Sequence, residues 1–303
     1  MPLDDFLSAL DTIKSKSENF IVVLTGGEPL LRADIESCGR EIRKRGVRWS
    51  MVTNGYLYDQ QKHISLLNSG LGALTISLDG LEDTHNWLRN KKDSFSKVDQ
   101  AIGLAASSSR LNFDVVTCVN TRNFHELHAI FDYLTEKKVK AWRLFTIVSI
   151  GRAKDNPELF LTDIQFKKLM DFISEKRKLK QIDVKFSCEG YVGQYESKVR
   201  DQFFFCRAGI NIGSVLIDGS ISACPNIDRT FSQGNIYKDN FQEIWETRYQ
   251  VFRDRSWTKT GQCANCADYS ACLGNGLHNW HESKENVLIC HNEKIARATK
   301  CNS

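Results

Sequence analysis

The sequence predicts an α/β fold of repeated strand–helix units on a mostly parallel sheet, followed by a small cysteine-rich domain. Three features carry that expectation. Up to about residue 200, short apolar runs rich in β-branched residues alternate with amphipathic helical stretches, the pattern of βα units. Beyond about residue 202 the chain changes to short segments with Gly-Asn and Asp-Gly turns. Six of the ten cysteines then fall between Cys206 and Cys290.

A first helix is expected over 2–14, where Leu3, Phe6, Leu7, Leu10 and Ile13 recur at helical spacing. Strands are expected at 20–24, 48–53, 73–78, 113–119 and 141–146, with helices at 33–45, 60–69, 94–106, 123–137 and 161–178. A sheet that opens with a helix before any strand predicts at least one further βα connection ahead of Met1. The change of character sets an expected boundary near residue 185, giving domains 1–185 and 186–303. There is no internal repeat or low-complexity tract, and only four prolines, so no long flexible linker is expected.

The chain has 303 residues, and its 41 Lys and Arg against 37 Asp and Glu give a net charge of +4, scattered rather than gathered into a stripe. That distribution argues against a nucleic-acid or membrane partner. The apolar runs at 20–24 and 144–150 are too short to cross a bilayer, and the opening MPLDDF has neither a basic nor an apolar leader region. The expectation is a soluble, cytoplasmic protein. Ten cysteines in a reducing compartment point to metal or iron–sulfur ligation rather than disulfides.

Thr25-Gly26-Gly27-Glu28-Pro29-Leu30 follows the first strand, at the carboxyl end where parallel α/β sheets hold ligands. Two glycines let a ligand approach bare backbone, and a carboxylate beside them suits an ammonium group. Taken alone, the stretch is equally a tight turn with a solvated acid. Other strand ends are polar as well: Thr53-Asn54-Gly55, Ser77-Leu78-Asp79-Gly80 and Asn120. LTGGEPLLR resembles the GGE motif of radical S-adenosylmethionine (SAM) enzymes, and the resemblance implies a partial (βα)6-type radical SAM barrel lacking its first strand. It makes Gly26, Gly27 and Glu28 receivers of the amino group of SAM, and Ser77, Asp79 and Asn120 candidates for its ribose or carboxylate. Ile150-Gly151-Arg152-Ala153 resembles the family's GRA segment.

That family binds its radical-generating [4Fe–4S] cluster through CxxxCxxC, a spacing absent from these 303 residues. Cys38 falls inside a helix with no partner at ligand spacing, so a small buried hydrophobe is its expected role. The expectation is a chain that starts downstream of the cluster loop and is inactive as it stands.

In the cysteine-rich part, Cys206 is followed by twelve residues, Gly219, four residues and Cys224; then come Cys263-x2-Cys266-x5-Cys272 and Cys290. Spacing alone leaves a structural zinc site open, and with it a non-catalytic, metal-stabilised binding module. The series resembles the SPASM pattern of peptide and sulfatase maturases, except that Gly276 stands where the fourth cysteine of CX2CX5CX3C belongs. By the family's interleaved ligation, Cys263, Cys266, Cys272 and Cys290 would hold one auxiliary [4Fe–4S] cluster. Cys206 and Cys224, with Cys188, would belong to the other, leaving it an open iron site or a histidine from His278 or His281; the open site is the expectation. The resemblance further implies SAM as cofactor, a reductant protein as partner, and a peptide or protein substrate modified by an oxidoreductase of the maturase kind.

Overall fold

The computed structural model describes residues 1–14, 19–281 and 285–300; Cys301 lies outside them. The chain forms two compact units, one of Asn19–Ser187 with Lys198–Asp201, the other of Met1–Glu18, Cys188–Ser197 and Gln202–Ser303. Helix α1 (Leu3–Lys14) belongs to the second, although the sequence order places it ahead of the sheet: Ile13, on its apolar stripe, packs against the core of the cysteine-rich unit.

The first unit is a six-stranded sheet in sequence order: β1 (Ile21–Leu24), β2 (Arg48–Thr53), β3 (Leu71–Ser77), β4 (Asn112–Val119), β5 (Ala141–Thr146) and β6 (Asp183–Phe186). Every neighbouring pair is parallel, so all strands end at the same edge. The connecting helices are α2 (Ile35–Lys44), α3 (Gln60–Asn68), α4 (Glu82–Arg89), α5 (Ser94–Ser107), α6 (Leu127–Glu136) and α7 (Asp163–Leu179). Local chemistry sets their ends. Asp59 caps α3 by accepting the Lys62 N–H at 2.8 Å, and Thr162 with Gln165 forms a reciprocal capping box on α7.

Burial alternates along β2, β3, β5 and β6, while β4 buries Val115, Val116 and Thr117 in succession. Trp49, Met51, Leu74, Ile76, Val115, Trp142, Leu144 and Val184 are buried on one face. The residues that alternate with them, Ser50, Thr75, Ser77, Asp114, Arg143 and Lys185, are half-buried and share the other. A parallel sheet covered by helices on both faces reads as continuous apolar strands; this one keeps a polar face. Across it, Thr75 Oγ1 donates to Asp114 Oδ1 at 2.6 Å, and Arg143 donates to Asp114 Oδ2 at 2.5 Å and to Thr75 Oγ1 at 3.1 Å.

Two elements depart from the sequence expectation. Strand β6 has four residues, two of them charged, and is fastened by Lys185 bridging Asp183 and Asp201 at 2.6 Å each. Helix α4 is short and polar; Glu126 organises its start by accepting the Leu81 N–H at 2.8 Å and the Thr84 hydroxyl at 2.5 Å. Tertiary ion pairs and hydrogen bonds hold both, and hydrophobic periodicity does not register such contacts.

The second unit is built from short pieces: an antiparallel sheet of β7 (Ser214–Val215), β8 (Ser220–Ser222) and β9 (Gly234–Asn235), and helices α8 (Glu196–Val199), α9 (Phe241–Thr247), α10 (Gln250–Arg253), α11 (Tyr269–Cys272) and α12 (His291–Lys300). Phe204, Cys206, Ile221, Phe231, Ile244, Tyr249, Phe252 and Leu277 form its main core. A smaller cluster gathers Cys263, Trp280 and Val287, with Trp257, Tyr269 and Cys290 against it. Among the described residues no helix is long and apolar enough to cross a membrane.

Candidate functional site

The glycine turn after β1 is open. Gly26 takes φ +130°, a left-handed value that only glycine adopts without strain, and a Cβ on Gly26 or Gly27 would meet nothing within 4 Å. Glu28 is fixed behind the turn. Its Oε1 accepts from the Leu30 N–H at 3.0 Å and the Thr53 hydroxyl at 2.7 Å, and its Oε2 accepts from the Asn54 N–H at 2.7 Å. A carboxylate has about four lone-pair sites, so Glu28 ties the ends of β1 and β2 together and keeps one acceptor direction. The bare backbone and held acid suit the amino group of a ligand such as SAM.

Ser77 ends β3 half-buried on the polar face of the sheet, and its hydroxyl bonds no described residue. Asp79 and Asn120, also expected as ligand contacts, are buried at the ends of β3 and β4. Asp79 is 3% exposed; its Oδ1 accepts the Cys118 N–H at 2.8 Å, and its Oδ2 pairs with Arg89 at 2.5 Å. Asn120 is fully buried, donating to the Cys118 carbonyl at 3.1 Å and accepting the Arg122 N–H at 3.0 Å. Asn123 joins the two, donating to the carbonyls of Asp79 and Cys118 at 2.9 Å each. These side chains bond one another and the backbone at the ends of β3 and β4. Arg89, Asn123 and His85 are the residues that sequence reading missed; Asn120-x2-Asn123, a spacing suited to Asx turns, was the one available signal. The Arg152 side chain of the GRA stretch lies outside the described residues, whereas Cys38 is buried in α2, as its sequence context suggests.

In the cysteine-rich unit the thiols fall into two sets, and no disulfide joins the described cysteines. Burial pushes Cys263 up to about 11, with Cys290 and Cys266 adding to the shift, and Cys272 up to about 12, with Cys290, Cys263 and Cys266 adding. Burial also raises Cys290, where Cys266 contributes. Separately, burial pushes Cys224 up to about 11, and Cys188 and Cys206 add to that shift. Desolvation thus opposes bare thiolates, and metal charge is what would offset it. Among the described residues no three His, Cys, Asp or Glu side chains are drawn together at single-ion spacing. The donor chemistry fits: four thiols in one set are the complement of a [4Fe–4S] cluster, and the other set supplies three.

A family model for the radical SAM superfamily matches residues 1–134, and one for SPASM, an iron–sulfur cluster-binding domain, matches 206–267. An AdoMet-dependent heme synthase of Nitratidesulfovibrio vulgaris is 23% identical, covering 98% of this chain and 85% of its own. An Fe-coproporphyrin III synthase of Methanosarcina barkeri is 26% identical over 84% of this chain and 70% of its own. Among solved structures, anSMEcpe with bound AdoMet and Cp18Cys peptide aligns with TM-score 0.71 at 20% identity, covering 99% of this chain and 87% of that one. Streptococcus suis SuiB bound to precursor peptide SuiA aligns with TM-score 0.69 at 14% identity, covering 97% and 69%.

Proposed function

This chain belongs to the radical SAM superfamily and carries a SPASM iron–sulfur domain; its cofactors are SAM and [4Fe–4S] clusters, and we propose that its substrate is a peptide or protein, which it modifies at a C–H bond. Bound together, SAM and a reduced cluster supply hydrogen-abstracting, one-electron chemistry, and the protein's own task is binding, orientation and exclusion of water. In this reading Gly26 and Gly27 receive the methionine end of SAM on bare backbone. Glu28 holds that turn and offers its remaining acceptor direction to the ammonium, and Ser77 offers a hydroxyl to the same ligand. Asp79 and Asn120 act one step back, by holding the strand ends. Cys263, Cys266, Cys272 and Cys290 ligate one auxiliary cluster, and Cys188, Cys206 and Cys224 contribute to the other.

The observation that supports a polypeptide substrate is the likeness, along nearly the whole chain, to two folds solved with peptides in place. A second reading, oxidation of a carboxylate-bearing tetrapyrrole, is favoured by the names of the sequence relatives and by Arg143. That guanidinium is 41% exposed on the polar face of the sheet, with Nη1 uncommitted beside its bonds to Asp114 and Thr75, a suitable receiver for a propionate.

The assay uses the chain with a CxxxCxxC loop supplied ahead of residue 1, reconstituted anaerobically with a chemical reductant and SAM. Release of 5′-deoxyadenosine that rises with a genomically neighbouring peptide, together with a mass change in that peptide, is the expected result. A rise with iron-coproporphyrin alone would replace the peptide reading with the tetrapyrrole one. Glu28→Ala should weaken SAM binding at least tenfold by calorimetry, a loss of about 1.4 kcal/mol; unchanged affinity would remove Glu28 from the site.

A further inference from the structure

The first thiol set has three members, Cys188, Cys206 and Cys224, and the position from which a fourth thiolate is missing is Gly276. We infer that the imidazole of His278 is the fourth ligand to that set, a neutral nitrogen donor in place of the absent cysteine. The inference rests on the reading that these thiols hold an iron–sulfur cluster.

The carrying observation is steric. A Cβ built on Gly276 would lie 2.6 Å from His278 Cε1 and 2.9 Å from its Nδ1, distances that real Cβ contacts do not tolerate. The ring fills the volume into which a side chain at 276 would project. The same Cβ would lie 2.6 Å from the carbonyl oxygen of Glu189, the residue that follows Cys188. Further bonds fasten the histidine's loop to that segment: Asn275 Oδ1 accepts the Tyr191 N–H at 3.1 Å, and Asn279 donates to the Glu189 carbonyl at 3.1 Å. Leu277, between the glycine and the histidine, is 2% exposed in the core that contains Cys206 and packs Cys224. The backbone carrying His278 is therefore tied to the residue after Cys188, and Leu277 shares a core with Cys206 and Cys224.

A second observation concerns the ring itself. Its neighbours Asn275, Asn279, Trp280 and His281 all hydrogen-bond, whereas neither ring nitrogen of His278 bonds a described residue. The ring is half-buried, with Glu189 and His291 as the charged groups that act on it, and an uncommitted imidazole nitrogen is what a metal takes. The other histidine in the stretch is engaged, since His281 Nδ1 meets Asp228 Oδ2 at 3.3 Å. Ligation through the unprotonated nitrogen releases no proton. It leaves the cluster one charge less negative than four thiolates would, which raises its reduction potential, the direction known from His-for-Cys replacement on iron–sulfur centres.

The test reads the metal rather than turnover. The 303-residue chain and its His278→Ala and His278→Cys variants are reconstituted with iron and sulfide, then reduced for pulsed EPR with natural-abundance or 15N-labelled histidine. The expected result for the unmodified chain is about eight irons, with a nitrogen coupling on one cluster that changes on labelling. His278→Ala should lose the coupling and roughly half the iron, and His278→Cys, which offers a thiolate from the same residue, should keep the iron, without the coupling and at a lower potential. About eight irons with no nitrogen coupling, or a coupling that survives in His278→Ala, overturns the ligand assignment and leaves the cluster reading intact. Absence of iron from all three proteins overturns the cluster reading, and the ligand with it.

Discussion

The two units of this chain reach order by different means. In the sheet unit, β2, β3 and β5 alternate buried and half-buried residues, β4 buries Val115, Val116 and Thr117 in succession, and large side chains such as Trp49, Trp142 and Met51 are completely enclosed. The cysteine-rich unit has strands of two or three residues and helices mostly of one or two turns, and its smaller core is built on Cys263, Trp280 and Val287, with Cys290 packed against it. A core of strands and helices is closed by apolar burial alone. A core that includes buried thiols, with burial raising Cys263, Cys272 and Cys290, is completed when metal charge stabilises their deprotonated form.

The sharpest way to break this comparison is to remove the metal. Small metal-organised sites derive on the order of 10 kcal/mol of folding free energy from the ion, so Cys272→Ser should lose one cluster's iron and unfold the stretch around Trp257 and Trp280, whose rings meet edge to face at 5.2 Å. Hydrogen exchange should accelerate more than tenfold across 256–290 while β2 to β5 keep their protection. Equal acceleration in both regions would show that they do not differ as argued. The converse substitution is Trp142→Ala, which empties a fully buried site and removes the indole N–H bond to Thr117 Oγ1 at 2.8 Å. A loss of about 3–5 kcal/mol is expected in the denaturant transition of the sheet unit, with iron content at the wild-type level. Iron lost along with that stability would mean that the cysteine-rich unit depends on the sheet.

The contrast also explains what could be read in the sequence. Strands β1, β2 and β5 follow from short apolar runs rich in strand-forming residues, and the thiol sets from Cys spacing, because each pattern is local. Strand β6 and helix α4 escaped because ion pairs from Asp201 and hydrogen bonds from Glu126 hold them across long sequence separations. The polar strand ends were legible as special but not in their roles. Glu28 keeps one acceptor direction and Ser77 bonds no described residue, whereas Asp79 and Asn120 bond Arg89 and Cys118, a distinction that only folded neighbours create. The histidine beside Gly276 was visible as a residue, and its ring in the glycine's side-chain volume was not.

The smallest expected effect separates the units by pH. His85 is completely buried in the sheet unit; its Nδ1 accepts the Asp79 N–H at 3.1 Å, so the ring is neutral and its Nε2–H donates to Ser94 Oγ at 3.1 Å. Desolvation pushes it down to about 4, with Arg89 acting in the same direction and the Asp79 charge opposing. In the unfolded chain it titrates near about 6.5. The folded value is the lower one, so the unfolded state takes up the proton first as the pH falls. The stabilisation is complete above about pH 6.5 and is lost as pH drops toward 4, amounting to about 2 kcal/mol between pH 7 and pH 5. Urea midpoints of the sheet unit should therefore fall over that interval. In His85→Gln, which keeps a polar side chain without a titrating ring, stability at pH 7 should be lower and the slope with pH shallower. An unaltered slope would assign the pH response to other groups and remove His85 as its source.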